Sequence, residues 1–278
     1  MNTVLPFLST FPVWLVTGGV FTLGLFLGSF VSALSWRLPR GHSILEIEGS
    51  KRSVCPQCRT PLGVKDLVPL LSYLLSGGKC RHCHKKISRR YPLIELMTAL
   101  FCTVLFSFTD FAQASLSGFA VMMALAVVLS AMFVIDLEHK IIPDRLNIAL
   151  ALLGLLAIAI PYLDAAPPQE TLWHRLGIAA VSAVLYGLLP IVIRYVFLLV
   201  TKKDGLGFGD IKFFAAAGLW IGLPALPIFM ILSGLGGVLL GVVWKKTTGE
   251  KALPFGPALI IAFTVCLCLP EEIISAFL

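Results

Sequence analysis

The chain has 278 residues, 58% of them hydrophobic and 13% charged, with a formal net charge of +7. Soluble domains carry about 25% charged residues, so this composition excludes an ordinary water-soluble domain and points to lipid as the main solvent. The positive balance has no aromatic interleaving and no binding motif beside it, which sets nucleic-acid binding aside.

Spanning a bilayer takes about 20 apolar residues. Taken in chain order, the apolar stretches predict an all-α polytopic membrane protein with about eight transmembrane helices, near 13–35, 93–109, 116–135, 148–162, 176–200, 211–223, 226–244 and 258–276. The fourth and sixth are short and would need a thinned bilayer or shielding neighbours. Nothing basic precedes the first stretch, and no small-x-small site clearly follows it, so it reads as a true span and not as a cleaved signal. Three units are expected: a first helix over 1–36, a small cytoplasmic loop domain over 37–92, and a membrane core over 93–278. No internal repeat is evident.

Residues 37–92 are polar and basic, and too few to build a large core. Domains of this size usually need a staple. Here Cys55-x-x-Cys58 and Cys80-x-x-Cys83 supply one. Two CxxC pairs about twenty residues apart point to a tetrahedral four-thiolate zinc site. Arg59, Lys79 and Arg81 lie near enough in sequence to stabilise thiolates. Two disulfides or a redox CxxC are the competing readings. A reducing compartment disfavours the first, and two pairs in one loop disfavour the second. His82 and His84 could replace one thiolate but read more simply as surface neighbours. Four protein ligands leave no open position for water, so the zinc is expected to be structural. Pro92 suits the first turn of the helix that re-enters the membrane. Cys102, Cys266 and Cys268 lie in apolar stretches and read as packing residues.

Orientation follows from the cations. If the spans alternate, all but Arg175 and Arg194 of the 22 Lys and Arg fall in loops on one face. The positive-inside rule makes that face cytoplasmic and puts both termini outside.

Two acids stand at this cytoplasmic edge. Asp136 closes the third span and Asp210 opens the sixth. Ionisable groups within a span are costly and usually functional. Two carboxylates that meet there cannot both ionise cheaply and would share one proton. The ionised member can act as base on water while the protonated member polarises a scissile carbonyl. Gly207 and Gly209, just before Asp210, lack Cβ atoms and would let a substrate backbone approach closely. Glu138, Asp144 and Asp204 lie near the same edge, as solvated loop groups or as receivers of a basic substrate. The macrodipole places charge on Asp210, at a helix start, and the shared proton on Asp136, at a helix end.

The run Gly205-Leu206-Gly207-Phe208-Gly209-Asp210 resembles the GxGD signature of type IV prepilin peptidases, and Asp136…Ile142-Pro143-Asp144 is similar to that family's other catalytic segment. Gly28-Ser29-Phe30, Arg37-Leu38-Pro39, the two CxxC pairs, Arg90-Tyr91-Pro92-Leu93-Ile94-Glu95 and Pro254-Phe255-Gly256-Pro257 follow in the family's order. The resemblance implies a membrane aspartyl endopeptidase of the bacterial inner membrane with its active site facing the cytoplasm. It would cut the short basic leader from prepilins or type II secretion pseudopilins, with Asp136 and Asp210 as its catalytic pair. It also implies N-methylation of the new N-terminus, with S-adenosylmethionine as donor. Ser32 stands where the family often has Asn, which bears on that second activity. Glu95 is a methyltransferase candidate by resemblance, and by residue type an acid in the first turn of a helix. The rival classes are a transporter, which would line a route across the membrane with acids, and a zinc-anchored scaffold of a secretion or pilus complex.

Overall fold

In chain order the helices of the computed structural model are α1 (Val13–Arg37), α2 (Leu71–Leu75), α3 (Arg90–Phe108), α4 (Asp110–Ala114), α5 (Leu116–His139), α6 (Asp144–Leu163), α7 (Leu172–Thr201), α8 (Phe208–Ile221), α9 (Leu226–Thr248), α10 (Gly256–Cys268) and α11 (Glu271–Ser275). It describes residues 11–41, 54–55, 57–163, 170–203, 205–250 and 252–275. No extended strand is present among them, so the all-α expectation holds.

Among the described residues six helices are long and apolar enough to cross a membrane: α1, α3, α5, α6, α7 and α9. Local chemistry sets their ends. Ser115 and Thr171 cap α5 and α7 with their side-chain oxygens, accepting from the Gly118 and His174 backbone N–H groups. Lys140, Lys202 and Gly249 stop α5, α7 and α9 in the left-handed conformation, the usual way to end a helix. Of the two stretches expected to be short, the sixth is short and the fourth is not. The fourth stretch is a full 20-residue helix, because the segment after Pro143 starts turning at Asp144. The sixth and eighth are the short ones, with 14 and 13 residues. Gly222, at φ 68°, ends α8, and Pro270 follows the end of α10. At 1.5 Å per residue each spans roughly 20 Å, less than the hydrocarbon core.

Helix α5 is the axis of the molecule. It is the most deeply covered span and packs on α1, α3, α6 and α10. Helix α1 lies against α3 at very close range. A Cβ on Gly24 would stand 2.6 Å from the Ala99 Cα, and one on Gly28 would stand 2.5 Å from the Glu95 Cα. Helix α8 packs on α6 and α7, and α10 joins α5, α8 and α9.

One end of the bundle gathers most of the polar contacts. Arg90 at the start of α3 grips Glu138 with two nitrogens, one of them 2.9 Å from Oε2. Lys212 reaches Asp144 at 2.7 Å, and Lys140 pairs with Glu250. These contacts join the starts of α3, α6 and α8 to the ends of α5 and α9. The alternation of spans read from the sequence brings those same ends to one face.

Candidate active site

Asp136 and Asp210 come together at that polar end. Asp136 lies one turn before the end of α5 and is 3% exposed. Asp210 is the third residue of α8, and the two carboxyls are close enough to act on each other electrostatically. Separate backbone donors position each one. The Gly207 N–H reaches Asp210 Oδ2 at 3.3 Å, and the Gly256 N–H donates to Asp136 Oδ2 at 2.7 Å.

Gly256 opens α10, so Asp136 sits against a helix N-terminus just as Asp210 does. The macrodipole argument that would put the charge on Asp210 therefore applies to both acids and does not divide their roles. Gly256 also has no room for a side chain. An added Cβ would lie 2.7 Å from Asp136 Oδ2 and 2.9 Å from its Cβ and Cγ.

The loop carrying the glycines packs on the turn after α5. A Cβ on Gly209 would meet the Ile142 carbonyl at 3.1 Å, and the Gly209 carbonyl accepts from Asn147 Nδ2 at 3.2 Å. Gly207 is exposed beside Asp210. Glu138 and Asp144 are not free acids, since Arg90 holds one and Lys212 the other. Asp204 lies outside the described residues. Sequence reasoning gave no role to Gly256 or Asn147. The Phe-Gly-Pro run around Gly256 was a visible signal, but the contact of Asn147 with the Gly209 carbonyl was not.

The four cysteines converge. The Sγ atoms of Cys55, Cys58, Cys80 and Cys83 lie within 4.8 Å of one another, and all four are free thiols. Tetrahedral zinc with Zn–S bonds of about 2.3 Å sets sulfurs roughly 3.8 Å apart, so small rotations of the side chains would close the site on the ion. His82 and His84 are not part of this cluster. Thr60, through its side chain and backbone, holds the half-buried Cys58 thiol down to about 6, which favours the thiolate that a metal needs, while, against a backbone bond from Lys85, burial and the neighbouring cysteines push Cys83 up to about 11.

The two CxxC pairs, each a knuckle by its sequence, share one backbone shape. The Cys55 N–H bonds the Thr60 carbonyl and the Arg59 N–H the Cys55 carbonyl; the Cys80 N–H bonds Lys85 and the His84 N–H bonds Cys80 in the same way. Arg59 and His84 both take positive φ, and a β-bridge closes each turn, Val54 with Pro61 and Lys79 with Lys86. The two knuckles are copies of one backbone shape carrying different side chains.

The model of the bacterial peptidase A24 N-terminal domain matches residues 22–109, and that of the type IV leader peptidase family matches residues 123–242. A prepilin leader peptidase/N-methyltransferase of Aeromonas hydrophila is 33% identical over 290 residues, covering 95% of this chain and 94% of its own. The chain belongs to the type IV leader peptidase family. Proteins of the same printed name from Pseudomonas aeruginosa and Neisseria gonorrhoeae are each 34% identical, over 92% and 86% of this chain and 91% and 86% of their own. No solved structure matches the chain. In this leader peptidase family member the N-terminal match covers the later part of α1, the cysteine knuckles and α3, while the second match carries both aspartates.

Proposed function

We propose that this protein cleaves the basic leader from prepilins or pseudopilins at the cytoplasmic face of the inner membrane, and then N-methylates the new N-terminus. Family membership supports both activities. The observation that carries the first is the convergence of Asp136 and Asp210, each on its own backbone N–H, at the end of the bundle where the Lys and Arg collect.

In this reading a water is held between the two carboxyls. One carboxylate takes its proton as the oxygen attacks the scissile carbonyl, and the other lends its shared proton to that carbonyl oxygen. Gly207, exposed beside Asp210, leaves the substrate backbone room, while Gly209 lets the loop pack on Ile142. Glu138 and Asp144 give the leader-binding rim negative charge, partly offset by Arg90 and Lys212, and Asp204 is added to them by its place in the sequence alone. A cavity of about 410 Å³ between α6, α7 and α8 carries Asp144 and Lys212 at its polar end and Ala151, Ala183 and Ala215 along its wall. The apolar stretch that follows a leader would lie there.

Cys55, Cys58, Cys80 and Cys83 hold a structural zinc that orders the loop and takes no part in cleavage. S-adenosylmethionine supplies the methyl group for the second activity. The test is to incubate purified protein with a prepilin-like peptide, with and without that donor, and to follow masses. Loss of the leader, followed by a one-methyl gain on the cut fragment only when the donor is present, is the expected result. An intact peptide after long incubation with folded, zinc-loaded protein would refute the reading.

A further inference from the structure

The cleavage machinery leaves one buried acid unused. Glu95 lies in α3 and is 8% exposed. At 1.5 Å per residue it sits roughly 7 Å beyond Arg90, inside the span. No cation pairs with it among the described residues. Its Oε2 accepts the Leu70 backbone N–H at 2.7 Å, and the Ser29 side chain lies beside it. Ser32, on the same face of α1 three residues on, is 4% exposed and its hydroxyl has no partner among the described residues.

A carboxylate here is a costly way to accept two neutral donors, the Leu70 N–H and the Ser29 hydroxyl. Glutamine would accept the same bonds without placing an ionisable group in the membrane. The first donor is also unusual. Leu70 has φ 58° and ψ −49°, and the Leu71 N–H bonds back to the Pro69 carbonyl. This is a γ-turn with positive φ at its centre, a rare and strained shape for a residue with a side chain. The group covering the carboxylate is therefore one that can leave at little cost. The relatives' printed names include N-methyltransferase, and a cut pilin-like chain and a sulfonium donor are both cationic.

We propose that Glu95 binds the α-ammonium of the newly cut substrate, with the Leu70 N–H standing in its place in the free protein. This rests on the methyltransferase reading above. Glu95 takes one proton from the ammonium, leaving a neutral amine. The amine's lone pair forms the N–CH3 bond as the S–CH3 bond of the sulfonium breaks and its electron pair stays on sulfur. The product is a methylammonium and a neutral thioether, and Glu95 returns its proton to water. Arg90 joins α3 to α5 at Glu138, two residues past Asp136, so the new N-terminus forms on the neighbouring helix.

The experiment uses full-length protein in lipid nanodiscs and two apolar peptides beginning with Phe, one with a free amine and one N-acetylated. Wild type should bind the free-amine peptide at least tenfold more tightly. Glu95→Gln, which keeps the bond to Leu70, should bind the two alike and lose at least a hundredfold in methylation rate, with zinc content and helical circular dichroism unchanged. Equal binding of the two peptides by wild type overturns the proposal without any variant. Undiminished methylation by Glu95→Gln does so as well. Wild type that prefers the amine but never methylates would instead overturn the methyltransferase reading and leave the amine site standing.

Discussion

The cysteine loop and the aspartate site solve the same problem in opposite ways. The loop has almost no apolar core. Its partners are near in sequence, in two knuckles of one backbone shape, and an ion pair from Arg81 to Asp66 at 3.2 Å braces the segment between them. The aspartate site has no local staple. Asp136, Asp210 and Gly256 come from three separate helices, and only the packing of α5, α8 and α10 brings them together. The first site depends on a ligand it must bind and the second on a core it already has. Either should therefore be able to fail while the other stays intact.

The largest expected effect falls on the aspartates. Asp136→Asn or Asp210→Asn should lower kcat/KM for leader cleavage by about 10³ or more, since each removes an acid–base group from the reaction, while the zinc content stays as in wild type. The wild-type pH profile should be bell-shaped, because the pair works with one proton between its two members. Near-normal cleavage by either variant would remove the dyad.

Next comes the metal. Elemental analysis should find about one zinc per chain, and Cys→Ser at Cys55, Cys58, Cys80 or Cys83 should abolish stoichiometric binding. Hydrogen exchange should then speed up across 54–89 and stay slow in α5. If α5 loosens along with the loop, the two regions are one cooperative unit and the contrast drawn here is wrong.

Gly256→Ala should cost less. A methyl group there has to push Asp136 or α10 aside, and a displacement of about 1 Å at a reacting group can cost on the order of 10² in rate. The loss should appear in kcat, with KM nearly unchanged and zinc retained. A loss confined to KM would show that Gly256 serves substrate binding and not Asp136.

The smallest effect belongs to the rim. Neutralising Glu138, Asp144 and Asp204 together should raise KM for a basic leader, each solvated contact being worth roughly 0.2–1 kcal/mol. A leader stripped of its charges should respond less. Equal responses would end the idea that the rim reads charge.

By itself the sequence determined the solvent, the helical class, the face that collects the cations, and the residues able to carry chemistry. Each of these follows from local composition or spacing: apolar length for a span, CxxC for a thiolate pair, a glycine-flanked Asp at a helix start. Tertiary structure decided what depends on distance between helices. It decided that Gly256 donates to Asp136, because α10 abuts α5. It occupied Glu138 and Asp144 with Arg90 and Lys212. It buried Glu95 beneath a strained turn 25 residues away in sequence. The short α8 was legible in the sequence, whereas the short α10 was not, because hydropathy runs on past Pro270, where the helix has already stopped. The two CxxC knuckles were legible in the sequence, but their common backbone shape was not. Backbone hydrogen bonds and two positive φ angles define it, and side chains as different as Arg59 and His84 can occupy the same position in that shape.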